Sequence, residues 1–310
     1  MKLYTTKKTG KCPLTKQLID TAIDNHISCF KLKHIKKRAI LLLQWIKRGF
    51  PKMKFFPILY YNKRLDYAFF NHNNKDDFLK KFYSNYEKPD YSNLDRKFNS
   101  PQLQLNAEFI IEWVLKLNAK CLQKKNIEIG VGSGWLSKEF KKRNLNITAS
   151  DSDPRICSYI EKKLKINTIA SFIENIENFN TYDSIFSADT FEHFPNPAKA
   201  FTSIHSILNK GGILFFTVPN INSLTFQYDL NLHKYFAYPA HLNYFSAKSI
   251  EYILKKIGFT DIHIDETTFI SEIPYLLEPY EKQKKIKGIH CPPLSRSLLK
   301  ERLLVYAIKK

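Results

Sequence analysis

Short apolar runs and amphipathic stretches alternate along the chain from residue 125 onward, and this alternation constrains the fold more than any other feature. The runs have the length and composition of buried strands, and the stretches between them place apolar residues at helical spacing. The predicted strands cover 126–131, 146–150, 168–173, 182–188, 213–218, 259–265 and 303–309. Strand, helix and strand repeated in this order predict a doubly wound α/β domain, in which helices cover both faces of a mostly parallel sheet. Ligands of such sheets bind beyond the carboxyl ends of the strands.

The helices of this domain are predicted over 136–144, 154–165, 197–210 and 246–259. We expect Gly211 and Gly212 to close the third of them, and Ser246 and Gly258 to cap the fourth. Upstream, the spacing predicts helices over 14–27, 33–48 and 103–117, an irregular or partly extended segment over 51–70 and a loop over 89–101. The chain is therefore divided into a basic, helical N-terminal segment, residues 1–100, and an α/β domain, residues 101–310.

The positive charge of the chain is concentrated at one end. The formal net charge is +20, and residues 1–64 hold 16 basic and two acidic side chains. A segment of this kind suits an anionic partner, either RNA or an anionic membrane surface. A solvated helical face without a partner is the alternative, and the pattern does not decide between them.

The cysteines and the apolar runs indicate where the protein is found. The five cysteines are scattered and form no CxxC pair, which argues against a disulfide framework and a zinc site. The apolar stretch Ala39–Leu43 is far shorter than the roughly 20 residues that a membrane-spanning helix needs. The first 25 residues contain no continuous apolar region typical of a secretory signal. We expect a cytoplasmic protein, with peripheral contact at the inner membrane face as an extension of that prediction.

A glycine-rich turn is predicted where the first strand of the α/β domain passes into its first helix. The segment reads Glu128-Ile-Gly130-Val-Gly132-Ser-Gly134. Glycines at such a turn let the backbone approach a ligand closely and present helix N-terminal amides to it. A dinucleotide-binding turn, GxGxxG, would need glycine at position 135, where Trp135 stands, and does not call for an acid before the first glycine. The dinucleotide interpretation therefore fails.

The turn resembles the first motif, (D/E)xGxGxG, of the class I S-adenosyl-L-methionine (SAM) methyltransferases. Asp151 follows 17 residues after Gly134, where that family has an acid on the ribose hydroxyls of SAM. Segments 182–201, 208–220 and 241–259 follow in the order seen in the ubiquinone-biosynthesis O-methyltransferases. The resemblance implies a Rossmann-like, seven-stranded sheet with an antiparallel last strand. It also implies that the residues holding SAM are Glu128, Gly130, Gly132, Gly134, Asp151, Asn175 and Asp189, with Glu128 orienting the amino group and Asn175 contacting the adenine.

An acid–histidine cluster follows the fourth predicted strand. It consists of Asp189, Glu192, His193 and, later in the chain, His241. Carboxylate and imidazole groups at this spacing can bind a divalent cation. The cluster also resembles the Mg²⁺ or Mn²⁺ site of the small-RNA terminal 2′-O-methyltransferases, although Asp189 stands where Glu is more usual. Two alternatives remain open: His193 acts with Glu192 as a metal-free catalytic pair, or the cluster only braces its loop.

The resemblance implies a SAM-dependent O-methyltransferase acting on a small-molecule, glycan or lipid-linked acceptor. The aromatic-rich stretch 221–245 would form one wall of the acceptor pocket, or it contributes only to packing. The alternative is an RNA 2′-O-methyltransferase that grips phosphates through residues 1–64. A non-catalytic SAM-binding scaffold is a third interpretation, which the intact glycine motif and Asp151 make less favourable.

Overall fold

The computed structural model describes residues 27–30, 59–62, 64–70, 91–175, 179–224, 226, 240–269, 272 and 299–310. The helices predicted over 14–27 and 33–48 lie outside these ranges, except that Ile27 begins a strand. Most of the predicted acceptor wall, residues 221–245, also lies outside them. No helix in the described ranges combines the length and the apolarity needed to cross a membrane.

Eleven strands are defined in the described part of the chain, and they form two sheets. In chain order they are β1 (Ile27–Phe30), β2 (Leu59–Asn62), β3 (Tyr67–Phe70), β4 (Asn126–Ile129), β5 (Ile147–Asp151), β6 (Thr168–Ala170), β7 (Tyr182–Ala188), β8 (Leu208–Pro219), β9 (Asn243–Tyr244), β10 (Phe259–Thr267) and β11 (Arg302–Lys309). The larger sheet has the order β10-β11-β8-β7-β4-β5-β6. Five of its strands, from β8 to β6, are parallel, and β11 runs antiparallel to both of its neighbours. This confirms the predicted seven-stranded, mostly parallel sheet with an antiparallel last strand.

The described residues form six α-helices, and a side chain caps the N-terminus of four of them. The six helices are α1 (Tyr91–Phe98), α2 (Pro101–Leu117), α3 (Trp135–Lys142), α4 (Pro154–Leu164), α5 (Pro197–Ile207) and α6 (Ala247–Ile257). Ser246 caps α6 through a reciprocal pair of hydrogen bonds with Ser249, and Gly258 ends that helix in the left-handed conformation. Both predicted caps of this helix are confirmed.

Two predicted boundaries are wrong. The loop predicted over 89–101 contains α1, which buries Phe98 and is tied to α4 by the Tyr159 hydroxyl donating to Asp95 at 2.8 Å. The helix predicted over 197–210 ends at Ile207, and β8 already includes Gly211 and Gly212. At this point the chain pairs with β7 instead of continuing the helix. The two backbones lie so close that a β-carbon at Gly212 would be 2.9 Å from the Asp183 carbonyl oxygen. Tertiary contacts outweigh local propensity in both cases.

The core lies on both faces of the larger sheet, because successive side chains of a strand point to opposite faces. Phe215 packs on one face with α2 and α3, and Phe216 packs on the other with α5 and α6. The first face includes Ile110, Val114, Leu136 and Phe140, and the second includes Ile204, Ile250 and Ile253. Cys121 and Cys157 are both buried thiols.

The smaller sheet, β1-β2-β3-β9, is antiparallel and joins residues 59–70 to the α/β domain. β3 pairs with β9, and its Tyr67 and Phe69 are fully buried in the same cluster as Phe216. The aromatic-rich segment 51–70 is thus partly extended, as expected. Among the described residues of the first hundred, three strands accompany α1, and the pairing of β3 with β9 crosses the boundary drawn at residue 100. That boundary stays a prediction.

Candidate functional site

The glycine turn lies at the carboxyl end of β4 and leads directly into α3. The amides of Gly130 and Val131 both donate to the Ser150 carbonyl oxygen, at 2.8 and 3.0 Å, which ties the turn to the end of β5. Gly130, Gly132 and Gly134 all have positive φ angles, of 73°, 50° and 79°. Side chains are strained in this conformation, so the path of the backbone depends on glycine. The sequence therefore folds here into a turn placed where α/β sheets bind ligands.

The three glycines differ in what surrounds them. A β-carbon at Gly130 would lie 2.4 Å from the Thr190 side chain, and one at Gly134 would lie 2.4 Å from Ile160. A β-carbon at Gly132 would meet no protein atom within 4 Å. Gly130 and Gly134 are thus needed for packing against the loop after β7 and against α4, whereas Gly132 borders open space that a ligand can enter.

Asp151 ends β5 beside this turn. One carboxylate oxygen accepts the Gly132 amide at 3.1 Å, and the other accepts the Asp153 amide at 3.0 Å. Burial raises the pKa of Asp151 above its ordinary value, although these two backbone bonds act in the opposite direction. Each oxygen of an ionised carboxylate can accept a further hydrogen bond, so Asp151 is held in place and can still bind a hydroxyl pair.

Glu128 lies beneath the turn, on β4, and is only 1% exposed. The Ser137 hydroxyl, from the first turn of α3, donates to its carboxylate. Burial is the main reason that the pKa of Glu128 is raised from 4.5 to about 8, and the charge of Asp151 adds to the effect. Glu128 is therefore protonated at neutral pH until a cationic group comes near.

The other two predicted SAM contacts lie on the loops after β6 and β7. Asn175 is exposed, and its backbone N–H donates to the Phe172 carbonyl oxygen at 3.0 Å. The side chain of Phe172 in this turn is 47% exposed. Asp189 has a positive φ of 53°, and its carboxylate accepts from the Thr217 hydroxyl at 3.0 Å. Both loops follow the carboxyl ends of parallel strands, on the same edge of the sheet as the glycine turn.

Arg302 is a residue of this site that the sequence analysis missed. Its guanidinium pairs with the Asp189 carboxylate and, at 2.6 Å, with Glu272, and it lies 4.8 Å from the centre of the Phe269 ring. Burial alone would lower the pKa of Arg302, but the charges of Asp189 and Glu272 outweigh it and raise that pKa. Arg302 thus holds Asp189 in its left-handed conformation. No motif marks this arginine, because 113 residues separate it from its partner.

The acid–histidine cluster forms where the loop after β7 meets the segment before β9. Glu192 and His193 belong to the 3-10 turn Phe191–His193, which is anchored by Phe191 stacking on Phe201. The Leu242 amide donates to the Glu192 carbonyl oxygen at 2.8 Å, which brings His241 alongside. One Glu192 carboxylate oxygen lies 4.0 Å from the Nε2 atoms of both His193 and His241.

Ligand atoms of Glu192, His193 and His241 all lie within 4.8 Å of one another. The structure thus gathers three of the four residues predicted as a metal site. Neither carboxylate oxygen of Glu192 has a hydrogen-bond partner in the described part of the chain, although this side chain is fully buried. The fourth residue, Asp189, directs its carboxylate to Arg302 and Thr217 instead.

The charge states within the cluster follow from its burial. Burial raises the pKa of Glu192 well above its ordinary value, and the nearby charge of Asp189 adds to this effect. Burial lowers the pKa of His193, so its ring is neutral at pH 7. His193 Nδ1 lies 2.7 Å from the Ala240 carbonyl oxygen. Since a carbonyl can only accept, Nδ1 carries the hydrogen and Nε2 presents a lone pair that can accept a proton or bind a cation.

A family model described as a methyltransferase domain matches residues 102–264. A ubiquinone biosynthesis O-methyltransferase from Vibrio parahaemolyticus is 28% identical over 119 residues, which cover 36% of this chain and 51% of that protein. A malonyl-[acyl-carrier protein] O-methyltransferase from Ilyobacter polytropus is 33% identical over 97 residues, covering 29% of this chain and 36% of that protein. The chain thus spans about half or less of the length of these relatives.

Among solved structures, a magnesium protoporphyrin IX methyltransferase from Synechocystis with bound SAH aligns with a TM-score of 0.51 and 12% sequence identity. The alignment covers 76% of this chain and all of that one. At this identity the likeness shows a shared fold.

Proposed function

Because this chain belongs to the methyltransferase domain family, we propose that it binds SAM and transfers its methyl group to an acceptor hydroxyl. The observation that carries the proposal is the junction of the glycine turn with Asp151: three left-handed glycines, of which Gly132 borders open space, lie beside a fixed carboxylate. This arrangement fits a ligand that has a cationic amino acid part and a ribose.

The residues present fit SAM part by part. Asp151 would accept hydrogen bonds from the ribose hydroxyls, and Gly132 would leave room for the methionine part. Glu128 would orient the turn and the amino group of SAM. The exposed Phe172 and Asn175 would contact the adenine. When bound, SAM supplies an electrophilic methyl group on its sulfonium sulfur. The contribution of the chain is then to align the acceptor and to remove one proton from it.

His193 is the proposed base, with Glu192 beside it as its partner. The Ala240 carbonyl holds the neutral ring in the tautomer whose Nε2 has a lone pair, so Nε2 accepts the proton of the acceptor hydroxyl. Oxygen acceptors need this proton removal, which favours O-methylation of a small-molecule, glycan or lipid-linked acceptor. The relatives named O-methyltransferases support this class of reaction.

Calorimetric titration with SAM tests the cofactor site. Asp151→Asn is expected to weaken SAM binding about ten- to hundredfold, because the ribose hydroxyls lose a charged acceptor. Asp183→Asn is the matched control: this aspartate lies at the opposite end of the parallel strands, where its carboxylate binds the Lys125 amide and Asn209. Equal dissociation constants for wild type and Asp151→Asn would remove the assignment.

Turnover with isotopically labelled SAM tests the base and identifies the acceptor. His193→Ala is expected to lower turnover about 10²- to 10⁴-fold. His205→Ala, on α5 with its ring 5.1 Å from that of Phe259, is the control and should leave turnover unchanged. Extracts separated into small-molecule, lipid and RNA fractions show which class gains the label. Label found only in RNA would replace the small-acceptor proposal with the 2′-O-methylation of RNA.

A metal-assisted site is the second candidate, and the buried Glu192 carboxylate without a hydrogen-bond partner in the described residues favours it. Glu192, His193 and His241 would hold the cation, which would orient the acceptor and lower the pKa of its hydroxyl. In this case a chelator abolishes turnover, Mg²⁺ or Mn²⁺ restores it, and His241→Ala is as damaging as His193→Ala. If His193 acts without a metal, chelation has no effect and His241 matters less.

A further inference from the structure

A cavity of about 380 Å³ lies at the amino ends of β4, β5 and β6, on the edge of the sheet opposite to the glycine turn. Its lining comes from the residues before these strands and from the last turn of α3. The length of β4, four residues, separates the cavity from the turn by about 13 Å. The volume falls in the range of small-molecule sites, roughly 300–1,000 Å³.

The cavity is lined by four lysines, Lys124, Lys125, Lys141 and Lys165, and by no acidic residue of the described part of the chain. All four are exposed, and none forms an ion pair within the described ranges. Two lysines nearby in the sequence do form ion pairs. Lys142 of α3 pairs with Glu108 at 2.6 Å, and Lys163 of α4 pairs with Asp95 at 2.7 Å. The positive charge at the cavity is therefore uncompensated, which attracts an anion.

Asp183 lies beside the cavity but forms no ion pair with Lys124 or Lys125 in the described ranges. Asp183 accepts the backbone amide of Lys125 at 3.2 Å and the Asn209 side chain at 2.9 Å. The Asn209 hydrogen bond is the main reason that the pKa of Asp183 is lowered, and the charges of Lys124 and Lys125 add to this effect. The ammonium group of Lys125 lies 4.8 Å from the centre of the Tyr182 ring rather than at ion-pair distance from a carboxylate.

Asn126, at the start of β4, belongs to the residues around the cavity. Asn126 is 1% exposed, and its Oδ1 atom has no hydrogen-bond partner among the described residues. Its Nδ2 donates to the carbonyl oxygens of Leu122 and Asn146, at 3.1 and 2.7 Å, which fixes the amide so that Oδ1 is the atom left over. Because this oxygen is buried, Asn126 braces the start of β4 and is not within reach of a ligand in the cavity.

We propose that this cavity binds a small phosphate ester. The lysines bind the phosphate oxygens as point charges. The site is separate from the proposed methyl-transfer site and does not depend on it. The concave shape and the limited volume favour a small molecule over the extended backbone of a nucleic acid.

Calorimetric titration of the full-length protein with fructose 1,6-bisphosphate tests this proposal. Wild type should bind saturably, and the double variant Lys124→Gln/Lys165→Gln should bind at least tenfold more weakly. The matched control, Lys142→Gln/Lys163→Gln, removes the same charge outside the cavity, and should stay within twofold of wild type.

Three outcomes would overturn the proposal. Absence of saturable binding by wild type removes the site, and an equal loss in the two double variants reduces it to non-specific charge attraction. A single-stranded RNA oligonucleotide that binds through the cavity lysines while fructose 1,6-bisphosphate does not would assign the surface to RNA instead. Thermal unfolding of each variant without ligand confirms that a loss of binding does not come from a loss of folding.

Discussion

The buried carboxyl group of Glu128 should make both the stability and the SAM affinity of this protein depend on pH. In the folded chain the pKa of Glu128 is about 8, against an ordinary value of 4.5, chiefly because burial disfavours the charged form. Between these two values the folded state keeps a proton that the unfolded state has lost. Unfolding therefore releases a proton, and stability falls as the pH rises through this window.

The size of the effect follows from the shift. Each pKa unit corresponds to about 1.4 kcal/mol, so a shift of about 3.5 units removes about 5 kcal/mol of stability between pH 4.5 and pH 8. Below pH 4.5 both states are protonated, and above pH 8 both are ionised, so this contribution is constant outside the window. A loss of this size is comparable to the whole stability of a marginal domain.

Urea unfolding of wild type and Glu128→Gln between pH 4 and pH 9 measures the effect. The glutamine keeps an acceptor for the Ser137 hydroxyl but cannot ionise. The difference in unfolding free energy, variant minus wild type, should rise by about 1.4 kcal/mol per pH unit up to pH 8 and then level off. Glu112→Gln, an exposed glutamate on α2, is the control and should run parallel to wild type.

SAM binding provides a second measurement of the same proton. If the carboxylate of Glu128 faces the cationic amino group, binding at pH 7 must release the proton, and the affinity should fall up to tenfold for each pH unit below 8. Calorimetry in buffers of different ionisation enthalpy counts the released proton. Stability curves of wild type and Glu128→Gln that run parallel across the window would refute the reasoning, since Glu128 would then be ionised in the folded protein at pH 5.

Three further predictions concern packing around the site. Arg302→Leu should cost about 3–5 kcal/mol in urea unfolding, because it leaves its two acidic partners unpaired; a loss below 1 kcal/mol would show that the pairing is not stabilising. Gly134→Ala should lower the thermal midpoint more than Gly132→Ala, because only the first new methyl group meets a packed side chain, and equal losses would contradict this. Removal of residues 1–99 should destroy cooperative thermal unfolding by deleting the buried Tyr67 and Phe69, and an unchanged transition would show that β3 is dispensable.

Much of the fold could be predicted from local features of the sequence. The alternation of apolar runs and amphipathic stretches predicted the parallel sheet, since the period of the side chains differs between strands and helices. The cap of α6 at Ser246 and the glycine turn after β4 were recognisable for the same reason: each depends on the conformation and hydrogen bonding of neighbouring residues. The SAM roles assigned to the turn and to Asp151 stay predictions.

Other features were decided by contacts between distant parts of the chain. Helix α1 has a loop-like composition and is held by burial of Phe98 against α4, and β8 begins early because β7 pairs with it. The pairing of Asp189 with Arg302 spans 113 residues, and Asp189 is not among the three residues whose ligand atoms lie together. A sequence pattern records which side chains are near in the chain, whereas these contacts depend on how whole elements pack. The sequence therefore predicted which residues lie at the carboxyl ends of the parallel strands. The tertiary structure decided which partners the charged groups have there.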